Sequence, residues 1–127
     1  MTRSPGHLSH PQHKVLEKRL SARIRATVAG EPLADSTVVI LVEESGHPSR
    51  YYFQTADVRM ELLERSAKTT HCPFKGTASY FHVLAGDTRL EDAAWSYEDP
   101  YDEHRALAGR IAFYVENAPE IELHPKP

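Results

Sequence analysis

Two short stretches gather side chains whose chemistry exceeds what a fold requires. In Thr70-His71-Cys72-Pro73-Phe74-Lys75-Gly76 the only thiol of the chain lies beside an imidazole and three residues before an ammonium. A cation within reach lowers a thiol's pKa and makes it a nucleophile. Adjacent side chains of an extended segment point to opposite faces, which turns His71 away from Cys72, and a small inert cysteine locked by the following proline suits the pattern equally. Lys75 snorkels to water, meets an anion or pairs with Asp92, and Gly76 permits close approach of a ligand. The second stretch, Asp92-Ala-Ala-Trp95-Ser-Tyr97, sets an indole and a phenol two residues apart, on one face of a strand. Tyr80 and Tyr52 are candidates to face them. Such rings form a core with polar rims, or a cleft that stacks a planar ring or a cation. Cys72 and Asp92 are therefore the candidate catalytic residues, and Tyr52, Lys75, Tyr80, Trp95 and Tyr97 the candidate ligand-binding ones.

The elements that must position these groups read as short strands and tight turns. Thr37-Val-Val-Ile-Leu-Val42 is β-branched and apolar at every position, as in a strand buried on both faces. Ile24, Ala26 and Val28 alternate, as in a half-buried strand, after a short helical lead-in at Val15, Leu16 and Leu20. Arg50-Tyr-Tyr-Phe53 is an aromatic strand, and Asp57 caps a short helix with Val58 and Leu62 on its buried side. Residues 66–76 read as irregular. Thr77 to Leu84 and the strand from Thr88 make a hairpin about Gly86-Asp87, which sets Tyr80 nearly opposite Ala93. One helical turn ends at Gly109, and Ile111, Phe113 and Val115 share a face of a last long strand. Short turns force antiparallel neighbours, so the expected fold is mainly β: one compact domain of twisted, rolled antiparallel sheets with one or two short helices.

With 127 residues, 40% of them apolar and 26% charged, the chain has room for one domain. Residues 1–13 hold His7, His10 and His13 but almost nothing apolar and read as a disordered tail; residues 14–123 form the domain, and the chain frays from Glu120, with 124–127 as a loose end. Three imidazoles on a tail without a thiol or carboxylate make a poor metal site, so neither metal nor cofactor is expected. The basic run from Lys14 to Arg25 reads as a solvated strand edge or a place for a polyanion to dock, but a net charge of −3 argues against nucleic-acid binding. A lone cysteine, no apolar run of membrane length and no secretory leader point to the cytoplasm.

Arg50-Tyr-Tyr-Phe-Gln-Thr-Ala-Asp-Val-Arg-Met, Thr70-His-Cys-Pro-Phe-Lys-Gly, Asp92-Ala-Ala-Trp-Ser-Tyr and Ile111-Ala-Phe-Tyr, in that order, closely resemble the bacterial and fungal family called domain of unknown function 427, over roughly Arg23 to Leu123. The resemblance implies a fold similar to the β-tent proteins, two antiparallel sheets pinned at one end. Their structural zinc, held by two Cys-x-x-Cys pairs, does not fit a chain with one cysteine. The nucleotidyltransferase-like label sometimes given to the family finds no Gly-Ser pair with following aspartates and no phosphate-cradling glycine loop here. Two functions of different class remain: a domain that holds a small planar or anionic molecule against Trp95, Tyr97, Tyr80 and Lys75, acting on it or not through Cys72 or Asp92, and a protein-interaction module that uses the aromatic loop face.

Overall fold

A computed structural model describes residues 2–127 as ten strands in three antiparallel sheets. The first sheet runs β1 (Val15–Arg19), β4 (Ile40–Glu44), β5 (Arg50–Tyr52), and the second β10 (Ile121–His124), β2 (Ile24–Val28), β3 (Glu31–Ser36). The third runs β6 (Leu63–Cys72), β7 (Gly76–Ala85), β8 (Thr88–Ser96), β9 (Ala112–Phe113). Helical structure is limited to α1 (Pro5–Ser9) and three 3-10 turns at Thr55–Asp57, Met60–Leu62 and Asp102–Leu107. None of the described helices is long and apolar enough to cross a membrane.

Two apolar clusters sit between the sheets. The larger takes Ile24, Val28, Leu33, Val39, Phe53, Val83 and Phe113, among others. The smaller takes Ile40, Val42, Tyr52, Trp95, Tyr97 and Leu107. Strand β4 divides them: Ile40 and Val42 point into the smaller cluster while Leu41 packs on the larger, the two-faced burial its apolar sequence demands. The run does not extend back to Thr37, however. The strand begins at Ile40, and Val38 is 45% exposed.

Several expected elements are corrected. Residues 66–72 belong to a ten-residue strand, β6, paired with β7 from Leu63↔Val83 to Cys72↔Gly76. This strand is a sheet edge, exposed through most of its length, so no inward face imposes alternation on its sequence. The lead-in at Val15 and Leu16 is strand β1, which pairs with β4. The stretch from Glu120 is not frayed: β10 pairs with β2 from Ile121↔Val28 to His124↔Arg25. The last long strand breaks after Phe113, and the helix after Asp57 is a pair of 3-10 turns.

The sequence reading of 1–13 as a loose tail also fails for the described residues; Met1 lies outside them. Ser4 caps α1, with Pro5 at its start. Ser4 is fully buried, its Oγ donates to Pro73 O at 2.8 Å, and its N–H donates to Glu103 Oε1 at 2.8 Å. Gly6 N–H donates to the same Pro73 carbonyl at 2.8 Å. A Cβ on Gly6 would stand 2.7 Å from that oxygen, so only glycine allows the approach. Polar groups, rather than the apolar burial that composition reports, hold this segment down.

Candidate functional site

The hairpin of β6 and β7 turns through Pro73, Phe74 and Lys75, closed by Cys72↔Gly76. Gly76 has φ +119°, and a Cβ there would meet Asp99 O and Pro100 Cα at 3.4 Å. Tyr101 N–H donates to Lys75 O at 3.0 Å from this second side. The turn is thus gripped between the N-terminal segment and the 99–101 loop. With Tyr52 of β5, Trp95 of β8 and Tyr97 just past the end of β8, it lines a cleft of about 390 Å³.

Of the residues singled out in the sequence, Tyr52, Cys72, Lys75, Tyr80, Trp95 and Tyr97 all line this cleft. Asp92 does not. Strand β8 carries two extra residues where the register jumps from Val83↔Leu90 to Phe81↔Ala94, and Asp92 occupies the bulge with φ +49°. Its N–H donates to His82 Nδ1 at 3.1 Å, and Ser66 Oγ donates to its carboxylate. The bulge also corrects the hairpin register: Tyr80 stands opposite Trp95 rather than Ala93.

The rings serve as core and cleft wall together. Tyr52 is 1% exposed, and Trp95 Nε1 donates to its hydroxyl at 3.1 Å. Burial pushes the hydroxyls of Tyr52 and Tyr97 far above the ordinary tyrosine pKa, so both stay neutral. Tyr80 reaches the rim, its hydroxyl 3.1 Å from Thr70 Oγ1. Tyr114 meets Trp95 edge-on, centroids 5.8 Å apart at 87°.

Lys75 is paired, though not with Asp92: its Nζ donates to Glu44 Oε1, and both side chains are under a tenth exposed. The ammonium also lies 5.7 Å from the centre of the Tyr97 ring. Glu44 accepts a second hydrogen bond, 2.9 Å from His13 Nε2, and His47 Nε2 stands 3.8 Å away. Burial opposes the charge on Glu44, but the hydrogen bonds from Lys75 and His13 outweigh it and hold the carboxyl below the usual range. His13 in turn stacks on Phe74, centroids 4.0 Å apart at 17°. Cys72 is partly exposed, and Lys75 N–H points at its Sγ from 3.4 Å. His71 is engaged elsewhere, with Thr77 Oγ1 and Tyr101 Oη, and among the described residues no side-chain base hydrogen-bonds the thiol.

A family model described as a domain of unknown function (DUF427) matches residues 17–123. The chain belongs to that family. Every residue that lines the cleft falls within the matched DUF427 span. No curated protein matches the chain.

Sequence reasoning missed Glu44, Arg50 and Tyr114 in this DUF427 domain, and it placed His13, which precedes the matched span and bonds Glu44, on a loose tail. Arg50 spreads over Trp95, with Cζ 5.2 Å from the ring centre, and over Tyr114 at 5.7 Å. Its signal was present: two places before Tyr52 in an alternating strand, it shares that residue's face. Glu44 sits likewise two residues past the buried Val42, at the end of β4, where it reads as part of a polar turn. Among the described residues no three histidine, cysteine, aspartate or glutamate side chains group as metal ligands. Of the three tail histidines, His7 bonds His104 and His13 bonds Glu44, and all three rings lie against Phe74.

Proposed function

We propose that this domain binds a small planar molecule in the cleft between the 73–75 turn and the ring wall. The observation that carries the reading is the convergence of Tyr80, Trp95, Tyr97 and Tyr114 with one buried ion pair on a concavity of about 390 Å³. That is the size and make-up of small-ligand sites: aromatic walls for area, few polar groups for orientation. Tyr52 forms the floor, Lys75 and Glu44 one end, and Cys72 a side wall. The reading is of binding; Asp92 has no place in it, and among the described residues no side-chain base hydrogen-bonds Cys72. A reducing cytoplasmic setting goes with a partly exposed single thiol.

An interaction module would need its rings on an open surface, and the burial of Trp95 and Tyr97 counts against it.

Trp95 is the only tryptophan, so its fluorescence reports on the cleft alone. Benzoate, benzamide and benzamidine are planar and nearly isosteric. A saturable change in Trp95 emission with at least one of them supports the reading; unchanged emission with all three to tens of millimolar overturns it.

A further inference from the structure

We infer that the cleft selects an anion, specifically a carboxylate carried by a planar group, and that Arg50 rather than Lys75 is its anchor. The inference deepens the ligand-binding reading above and rests on it.

Three observations lead there. First, cations of the protein itself already stand against these rings, which repels a further positive charge without closing the wall to a neutral or anionic planar group. Arg50 covers Trp95 and Tyr114, Lys75 stands over Tyr97, and Lys68 Nζ stands 4.8 Å from the centre of the Tyr80 ring. A cationic ligand would have to displace one of these charges or sit beside it, so the aromatic wall is no ammonium cage. Second, the charge of the lining is unbalanced. Arg50 and Lys75 stand against one carboxylate, Glu44. Third, the two permanent cations differ in what they have left to give. Lys75 is committed to Glu44 inside the protein. The Arg50 guanidinium has five N–H donors, and among the described residues it gives one hydrogen bond, from Nη1 to Glu116 Oε1 at 2.6 Å.

The position of Glu116 sharpens the assignment. Arg50 stands in the wall between the cleft and a neighbouring groove, whereas Glu116 lines that groove alone. The internal carboxylate therefore holds the guanidinium from the far side. The perpendicular rings of Trp95 and Tyr114, 5.2 and 5.7 Å from its Cζ, and Glu116 together hold the guanidinium in place, which is the pre-organisation a bidentate carboxylate contact uses. A ligand lying along the rings brings its own carboxylate to the remaining N–H groups of Arg50.

The test compares three probes of one shape and different charge, benzoate, benzamide and benzamidine, by Trp95 fluorescence at low and at 0.5 M salt. Benzoate is expected to bind about tenfold or more tighter than benzamide, the margin of a charge-assisted hydrogen bond, and benzamidine most weakly. In Arg50→Gln the benzoate-to-benzamide ratio should collapse to about threefold or less, while benzamide binding stays measurable; Arg50→Lys should fall between. Glu116→Gln keeps an acceptor for Nη1 but removes the competing negative charge beside Arg50, so it should tighten benzoate and not benzamide. Equal or stronger binding of benzamide or benzamidine overturns the anion assignment and leaves the cleft reading standing. An undiminished ratio in Arg50→Gln assigns the anion to another residue and overturns the role of Arg50. If none of the probes binds, both readings fall together.

Discussion

Replacing Lys75 by methionine removes one charge of a buried pair and little of its volume, and the structure sets what that costs. Truncating one partner of a buried ion pair costs about 3–5 kcal/mol, because the other charge is left without compensation. Lys75 is 6% exposed, so the full range is the starting point. Glu44 does not become solitary, however, since His13 still bonds its Oε2 at 2.9 Å and His47 stands 3.8 Å away. These two can carry part of the load, so the expectation is the lower end, about 3 kcal/mol at neutral pH. For a chain of this size that is roughly a 10 °C fall in Tm. Glu44→Gln leaves the ammonium buried and unpaired and should cost about as much. The double variant Lys75→Met with Glu44→Gln removes both charges and should recover at least about half of the loss, since desolvation then falls on no ion. Urea unfolding of the four proteins gives the cycle directly. A loss below about 0.5 kcal/mol for Lys75→Met, or strictly additive losses in the double variant, would refute the idea that a desolvated pair closes the end of the cleft.

Ile40→Ala, at a position 1% exposed in the smaller core, should cost about 2–5 kcal/mol in urea titrations, and a loss of a few tenths would place β4 at an open edge. Deleting residues 2–13 removes the hydrogen bonds of Ser4, Gly6 and His13 and should lower stability by about 2 kcal/mol; an unchanged melt would mean that the segment adds nothing in solution. The same pair of proteins tests a pH dependence. Burial and the nearby His104 lower the pKa of His7, against the weaker pull of Glu103 and Glu44, with His13 adding to the lowering. A histidine depressed in the folded state favours folding above its ordinary value of about 6.5, and that contribution is lost as pH falls through the depressed one. The stability gap between full-length and truncated protein should therefore shrink below about pH 6, and a gap that widens there would contradict the assignment.

The pattern of residues carried the parts of the fold that bury one face. Ile24, Ala26 and Val28 alternate because β2 packs one side on the core, and Gly86-Asp87 closes the β7–β8 hairpin as its sequence requires. What failed has physical causes in common. Edge strand β6 has no buried face to mark it, and β10 is four residues long with a proline directly after it. In the site, six singled-out residues line one cleft, four of them from the 70–76 and 92–97 stretches, and Trp95 and Tyr97, two apart, share a face. Asp92 left that set because a two-residue bulge cannot be read from alternation. The partner of Lys75 was hidden for another reason. Glu44 comes from β4, far off in sequence, and nothing local distinguishes a buried carboxylate at a strand end from one in a solvated turn.

The most direct measurement of the central claim follows the single indole N–H resonance of Trp95, which donates to Tyr52 at the base of the cleft. Titrating nitrogen-15-labelled protein with benzoate should shift that resonance saturably, together with the amides of Phe74 and Lys75, and should leave the far end of β6, at Leu63 to Arg65, unmoved. An indole resonance that stays fixed while amides elsewhere shift would contradict it.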